Sequence, residues 1–419
     1  MKVSKVVLGA ALSQVCWGRV REGSPESVGM DSAALKQLEK NMSDFNTHPP
    51  SGEEHPVQPG SAVVVGHEGV VVSRFATGYA QLYADANGTK LPVHERRKTE
   101  IDTIYDLASL SKLFTTIAAL REIDNDRISI SEPVAKYVPE FAQGGKGNVT
   151  IEQLLTHTSG FDADPEPPLY YTDEYHTVEE RRKAILASKL INRPGEKFLY
   201  SDINFMTMQI VLERVTCRRL DDLVGDYTKI LGMHDTYYNR GNKPLHADHR
   251  FERTVAEEFQ IAVMGDKEPK RPQPVRGTVH DENAYSLDGV SGHAGVFSTV
   301  DDVAVLCQMI LNNGTYNGHR VLSHDAVDLI FHNFNTKFPE DAHGLGFELN
   351  QTYWSGPMAN PLCAGHTGFT GTTLAIDRAS NTFFILFANK VHPTREWPSN
   401  NVAREALGYW VAKALGKDV

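Results

Sequence analysis

The 419-residue chain predicts an α+β fold: an antiparallel sheet flanked by N- and C-terminal helices, with an all-helical lobe inserted between its strands. Three observations predict it. Residues 61–78 (SAVVVGHEGVVVSRFATG) place two β-branched runs around Gly66–Gly69, the pattern of a hairpin. Residues 372–390 (TTLAIDRASNTFFILFANK) repeat that pattern, turning at Asp377–Asn381. Between them, Ser109–Ile123, Ile151–Leu155, Val178–Ile191, Phe205–Val215 and Val300–Asn312 carry apolar residues at helical spacing, with turn signals separating them.

Taken in order, residues 1–18 (MKVSKVVLGAALSQVCWG) set two lysines before a short apolar run and end in small residues, as a cleaved secretory leader does. A helix follows over Ser32–Met42, with Asp31 as its N-cap. A loop rich in Pro and charge, 48–60, leads into the first hairpin. Residues 240–280 are polar, Pro-rich and charged and read as a surface excursion that borders a cleft. The last helix spans Asn401–Leu415, with Val402, Leu407, Trp410, Val411 and Leu415 on one apolar face. The expected organisation is one catalytic domain over 19–419, with a sheet lobe at 19–105 and 340–419 and a helical lobe at 106–339. A crevice between two such lobes is where an active site is expected.

Composition narrows the partners. With 41% hydrophobic and 23% charged residues the chain is globular rather than disordered. A net charge of −11 without a basic stripe repels phosphate backbones, so nucleic acid is excluded as a partner. No stretch beyond the leader is long and apolar enough to span a bilayer, so no membrane partner is expected. The four cysteines, Cys16, Cys217, Cys307 and Cys363, form no CxxC pair; the last three sit in apolar neighbourhoods and read as small buried hydrophobes. Five glycosylation sequons, at Asn41, Asn87, Asn148, Asn313 and Asn350, agree with a secreted protein; without leader cleavage the location would be cytoplasmic.

Three constellations carry chemistry. Ser109-Leu110-Ser111-Lys112 follows an extended segment and opens an amphipathic helix. Residues three apart share a helix face, so Lys112 reaches the Ser109 hydroxyl. The free N–H groups and positive dipole at a helix start stabilise an alkoxide and an oxyanion. A buried lysine is expected to have a lowered pKa and to act as a base toward the Ser109 nucleophile. Tyr200-Ser201-Asp202 follows the turn at Arg193–Glu196. A phenol beside an ammonium ionises more readily and shuttles a proton, and Asp202 offers an acceptor to Lys112 or to a substrate amide. Gly365-His366-Thr367-Gly368 precedes the second hairpin. Glycines let a strand edge approach a ligand, the Phe369 N–H can join an oxyanion hole, and His366 is a donor or a cation for a substrate carboxylate. Each has a structural alternative: Ser109 as a cap with a solvated Lys112, Tyr200 as a core tyrosine, His366 as a turn residue. His157 and His293 are expected to hydrogen-bond backbone groups. His246 and His249 lack a carboxylate partner at metal-site spacing, so no metal is expected.

In this order the three motifs resemble those of the serine β-lactamase and penicillin-binding family. Leu154–Gly160 (LLTHTSG), Gly289–Ser298 (GVSGHAGVFS), Leu345–Phe347 and Ser24–Met30 (SPESVGM) are similar to further stretches of the class C-related members: DD-peptidases, D-aminopeptidases, esterases and transesterases. The resemblance runs over about Gly23–Gly416. It implies an acyl-enzyme on Ser109, with Lys112 and Tyr200 catalytic and Asp202, His366, Thr367, Gly368 and Phe369 binding substrate, without cofactor or metal. Two departures stand out. His366-Thr367-Gly368 replaces the Lys-Thr-Gly of class C β-lactamases, and Asp202 replaces the Asn of Tyr-x-Asn. Both argue against efficient β-lactam hydrolysis and neither touches acyl transfer. The expected activity is hydrolysis of small esters or D-amino-acid-type amides. The alternatives are acyl transfer to a small-molecule acceptor and a non-catalytic binding module that keeps the fold.

Overall fold

The structure is a computed structural model and describes residues 20–49, 55–243, 249–260 and 270–419. The leader expectation, Cys16 and His246 fall outside these residues. The central sheet runs, edge to edge, Arg21–Glu22, Val70–Gln81, Gly60–His67, Thr382–Ala388, Thr373–Asp377, Cys363–Thr367 and Glu348–Leu349, and Arg97–Lys98 adds to Val70–Gln81. Both expected hairpins form at the expected turns. All pairings are antiparallel except that of Arg21–Glu22, which lies parallel to Val70–Gln81, so the sheet is mixed.

Side chains alternate across a strand, and here both faces are apolar, which makes this a middle layer. Val63, Val65, Ala375, Phe384 and Leu386 point to one core; Ala62, Val64, Leu374, Ile376, Phe383, Ile385 and Phe387 point to the other. The first core is closed by the two terminal helices, Ser32–Thr47 and Asn401–Ala414. Asp31 caps the former, accepting from the Ala33 N–H at 2.8 Å. In the latter, Ala403, Leu407, Val411 and Ala414 face inward; Val402, expected on that face, points to solvent, because Gly408 packs against Ser355 and sets the rotation.

The second core joins the sheet to the helix-rich stretch: Ser111–Asp124, Ile151–Leu155, Val178–Ala187, Asp202–Thr216, Leu220–Leu231 and Val300–Leu311. Ser111–Asp124 is buried almost throughout, with Leu113, Phe114, Ile117 and Leu120 at its centre. Val178–Ala187 starts on a capping box, Thr177 with Glu180, and stops before the expected Ile191 because Leu190 leaves to bridge Phe161. This stretch also holds a small sheet, Tyr105–Asp106 with Val296–Ser298 and Tyr237–Tyr238.

The described part of 240–280 is the expected surface excursion only in part: Arg240, Lys243, Glu252, Lys270 and Gln273 are exposed and His280 lines a cleft, but the middle of the stretch is not at the surface. Val255, Ala256, Glu257 and Glu258 are buried, and the Val255 and Ala256 N–H groups bond to Ile104 O and Ala80 O at 3.0 and 2.8 Å. Its polarity misleads because Glu258 meets partners inside the fold, His280 and Arg395. Cys307 and Cys363 are buried as expected, whereas Cys217 is exposed at the C-terminal cap of Asp202–Thr216. Asn87, Asn148 and Asn350 are exposed; the side-chain oxygens of Asn41 and Asn313 accept bonds from Trp410 and Arg378. Among the described residues no helix is long and apolar enough to cross a membrane.

Candidate active site

Ser109 sits in the tight turn that joins Tyr105–Asp106 to the helix Ser111–Asp124. The turn is strained: Ala108, which carries a Cβ, has φ +46°. Its neighbours hold it there. The buried Asp106 carboxylate accepts the Ala108 N–H at 2.9 Å and the His280 N–H at 2.6 Å. The turn after Cys363–Thr367 straps the same segment, since Thr370 Oγ1 donates to Asp106 O at 2.7 Å and Thr372 Oγ1 to Leu107 O at 3.1 Å. Gly368 is the contact point: a Cβ there would lie 2.5 Å from Leu107 O. This close approach brings the backbone of Phe369 beside the Ser109 turn. The N–H groups of Ser109 and Phe369 make no hydrogen bond to a described residue, so both are open to an oxyanion.

Lys112, fully buried, donates to Ser109 Oγ at 2.9 Å and to His293 O at 3.3 Å, and its Nζ lies 2.7 Å from Asp202 Oδ1. Tyr200 lies beside them, its ring centroid 4.8 Å from Lys112 Nζ. The four side chains thus meet. The expected low pKa of Lys112 does not hold. Burial alone would depress it, but the Asp202 carboxylate, followed by Tyr200, outweighs burial and holds the ammonium above the ordinary lysine value. Burial pushes Tyr200 up to about 12, against the pull of Lys112.

His366, on Cys363–Thr367, is buried, and its Nδ1–H donates to Thr367 O at 2.7 Å. Burial, then the Lys112 charge, pushes it down to about 3. It is therefore a neutral ring and not the expected cation for a carboxylate; its Nε2 is an acceptor, 3.9 Å from Glu348 Oε1. Phe369 is 53% exposed and stands where two cavities meet. One, about 400 Å³, is walled by Phe198, Tyr200, Tyr353, His366, Thr367 and Phe369 and reaches Ser109. The other, about 660 Å³, also opens on Ser109 and is rich in acid: Asp162, Asp164, Glu166, Asp202, Asp281 and Glu282.

Sequence reasoning missed the residues that shape this second cavity. His293 was expected to bond backbone; instead its ring joins two side chains, Asp281 Oδ1 at 2.9 Å and Ser291 Oγ at 2.7 Å. Despite burial, Asp281 raises the His293 pKa, and His293 in turn holds Asp281 below the usual carboxylate range. No local spacing signals this pair. Asp202, Asp281 and His293 present ligand atoms within 4.8 Å of one another. A metal ion fits them poorly, because Asp202 already faces the Lys112 ammonium and Asp281 is held by His293.

A mixed sheet between two helical layers, with a serine at a helix start and a lysine one turn on, defines a serine hydrolase of the β-lactamase and DD-peptidase kind. The chain belongs to the β-lactamase family, whose model matches residues 50–409. It is 31% identical over 423 residues to an Escherichia coli K12 protein provisionally named a D-alanyl-D-alanine carboxypeptidase, with 95% of this chain and 92% of that protein covered. Among solved structures it is similar to a penicillin-binding protein homologue from Caulobacter crescentus (TM-score 0.66, 20% identity, 91% of this chain and 97% of that one). It is also similar to EstCE1, a hydrolase with promiscuous acyltransferase activity (TM-score 0.65, 19% identity, 92% and 99% covered).

Proposed function

We propose that the protein hydrolyses small esters or D-amino-acid-type amides through an acyl-enzyme on Ser109. The observation that carries this reading is the contact of Ser109 Oγ with Lys112 Nζ, 2.9 Å, at the junction of two cavities. The substrate carbonyl enters between the N–H groups of Ser109 and Phe369. Ser109 Oγ attacks as its proton passes to the Lys112–Tyr200 pair, which in the active form has already lost one proton. Tyr200 returns a proton to the leaving group; water then attacks the acyl carbon as its proton passes to the same pair, and the acyl–Oγ bond breaks as Ser109 takes that proton back. The scheme uses no metal or organic cofactor.

Charge favours donors that are neutral or carry an ammonium. Asp202 faces Lys112, Asp281 faces His293 and Glu282 faces Arg395. Asp162, Asp164 and Glu166, on the loop across the second cavity, have no ion-pair partner among the described residues. Crowding by the cleft walls, with the Asp202 and Asp281 charges, pushes the Asp164 carboxyl up to about 6. A free substrate carboxylate, as in carboxypeptidase chemistry, meets repulsion there.

Acyl transfer is the second reading, favoured by the two cavities that converge on Ser109: one can hold the acyl group while an acceptor enters the other. Product analysis with and without added alcohols separates the two. The first test is reaction with a fluorophosphonate probe and with a fluorescent penicillin, followed by peptide mapping. An adduct on Ser109 is expected. Labelling elsewhere, or none in folded protein, would replace this reading with a binding module.

A further inference from the structure

Tyr200 is held on backbone that is neither helix nor strand, Lys197–Ser201, so its orientation depends on what grips that segment. The grip is His157, some forty residues earlier in the chain. Its carbonyl accepts the Leu199 N–H at 2.9 Å and its Nδ1 accepts the Ser201 N–H at 3.0 Å, one bond on each side of Tyr200. Its ring stacks on the Tyr200 ring, centroids 4.5 Å apart and planes 30° off parallel. Asn204 Nδ2 approaches the same Nδ1 at 3.3 Å, and Ser159 Oγ, donating to Asn204 Oδ1 at 2.6 Å, orients that amide.

We propose that His157 is a positioning residue that sets the Tyr200 phenol against Ser109 and Lys112, acting through a neutral ring with its proton on Nε2. The tautomer follows from the bonds: an Nδ1 that accepts a peptide N–H carries no proton, so the ring hydrogen is on Nε2. The position itself is built for this. His157 is 1% exposed and has φ +57°, a conformation that turns its carbonyl and its ring toward the same segment. Protonation of Nδ1 would set two hydrogens against each other at Ser201. Burial, and then the nearby His343 and Lys112, keep the ring neutral by holding its pKa well below the ordinary value. Phe198, Phe205 and His343 pack around the ring, with centroids 6.0, 5.4 and 5.4 Å from it.

The proposal rests on the role given above to Tyr200, and a double-mutant cycle tests the two separately. His157→Asn keeps an acceptor near Nδ1, tolerates the left-handed backbone and removes the stacked ring. His157→Phe keeps a ring and removes the acceptor. Each is made alone and with Tyr200→Phe, and kcat and KM are measured for an ester substrate, with thermal melting as a check on folding. A phenol displaced by a fraction of an ångström should lower kcat by about 10–100-fold, with KM changed by no more than about threefold. With Tyr200→Phe the same His157 substitutions should change kcat by less than about twofold. Equal losses in both backgrounds would mean that His157 acts on the fold at large, and unchanged kcat in a folded single variant would mean that it does not act at all; either overturns the proposal. Full activity of Tyr200→Phe alone overturns instead the role of Tyr200.

Discussion

The Lys112–Asp202 ion pair makes the pH dependence of this protein its most informative property, and Asp202→Asn is the perturbation that reads it. Nζ and Oδ1 are 2.7 Å apart, Lys112 is fully buried and Asp202 is 18% exposed. At an effective dielectric of about 20, charges this close attract by about 6 kcal/mol. Solvent reaching Asp202 screens part of this, and an amide oxygen at the same place keeps a hydrogen bond. A net loss of about 3–4 kcal/mol on the ammonium remains, equivalent to a fall of about 2–3 units in the Lys112 pKa. The active form lacks one proton from the Lys112–Tyr200 pair, and both groups stand above their ordinary values. The acid limb of kcat/KM should therefore lie well above neutral in the wild-type protein. Asp202→Asn should move that limb down by about 2–3 units and raise kcat/KM at pH 7 by at least about tenfold, with the alkaline plateau changed by less than about threefold. The assay is the full pH profile of kcat/KM with an uncharged ester. A limb that does not move, or activity lost at every pH in folded protein, would refute the assignment of that proton to Lys112 and Tyr200.

Other outcomes follow from the same geometry. Ser109→Ala should abolish turnover and probe labelling while the melting temperature stays within about 5 °C, since a small polar side chain at a cavity junction contributes little to stability. Gly368→Ala should cost about 1–3 kcal/mol of stability, read by denaturant titration, and should lower kcat more than tenfold, because its Cβ would press on Leu107 O and shift the Phe369 N–H. The Asp164 carboxyl, raised to about 6, is neutral below that pH and charged above it. The kcat/KM for a donor bearing an ammonium should therefore rise as pH climbs through about 6, relative to a neutral donor, and Asp164→Asn should flatten the difference.

Much of the site was legible because its chemistry is local. Ser109 and Lys112 are one helical turn apart, so their contact follows from helix geometry. The hairpins were legible for the same reason: apolar runs on either side of a short turn pair with their neighbours in sequence. The stretch 240–280 was misread in part because composition reports polarity and not pairing, and His280 and Arg395 reach the Glu258 carboxylate only once the chain has folded.

The sequence by itself determined the α+β class, the membership of Ser109, Lys112, Tyr200 and His366 in an ordered motif set, and the replacement of an Asn by Asp202. Only the tertiary structure decided what those side chains are chemically. Lys112 is a held ammonium because a carboxylate ninety residues away lies 2.7 Å from it. His366 is a neutral acceptor because burial and the same ammonium strip its proton. Charge states are sums over neighbours in space, each falling off with distance and strengthened by the exclusion of water, and a linear order of residues carries neither quantity.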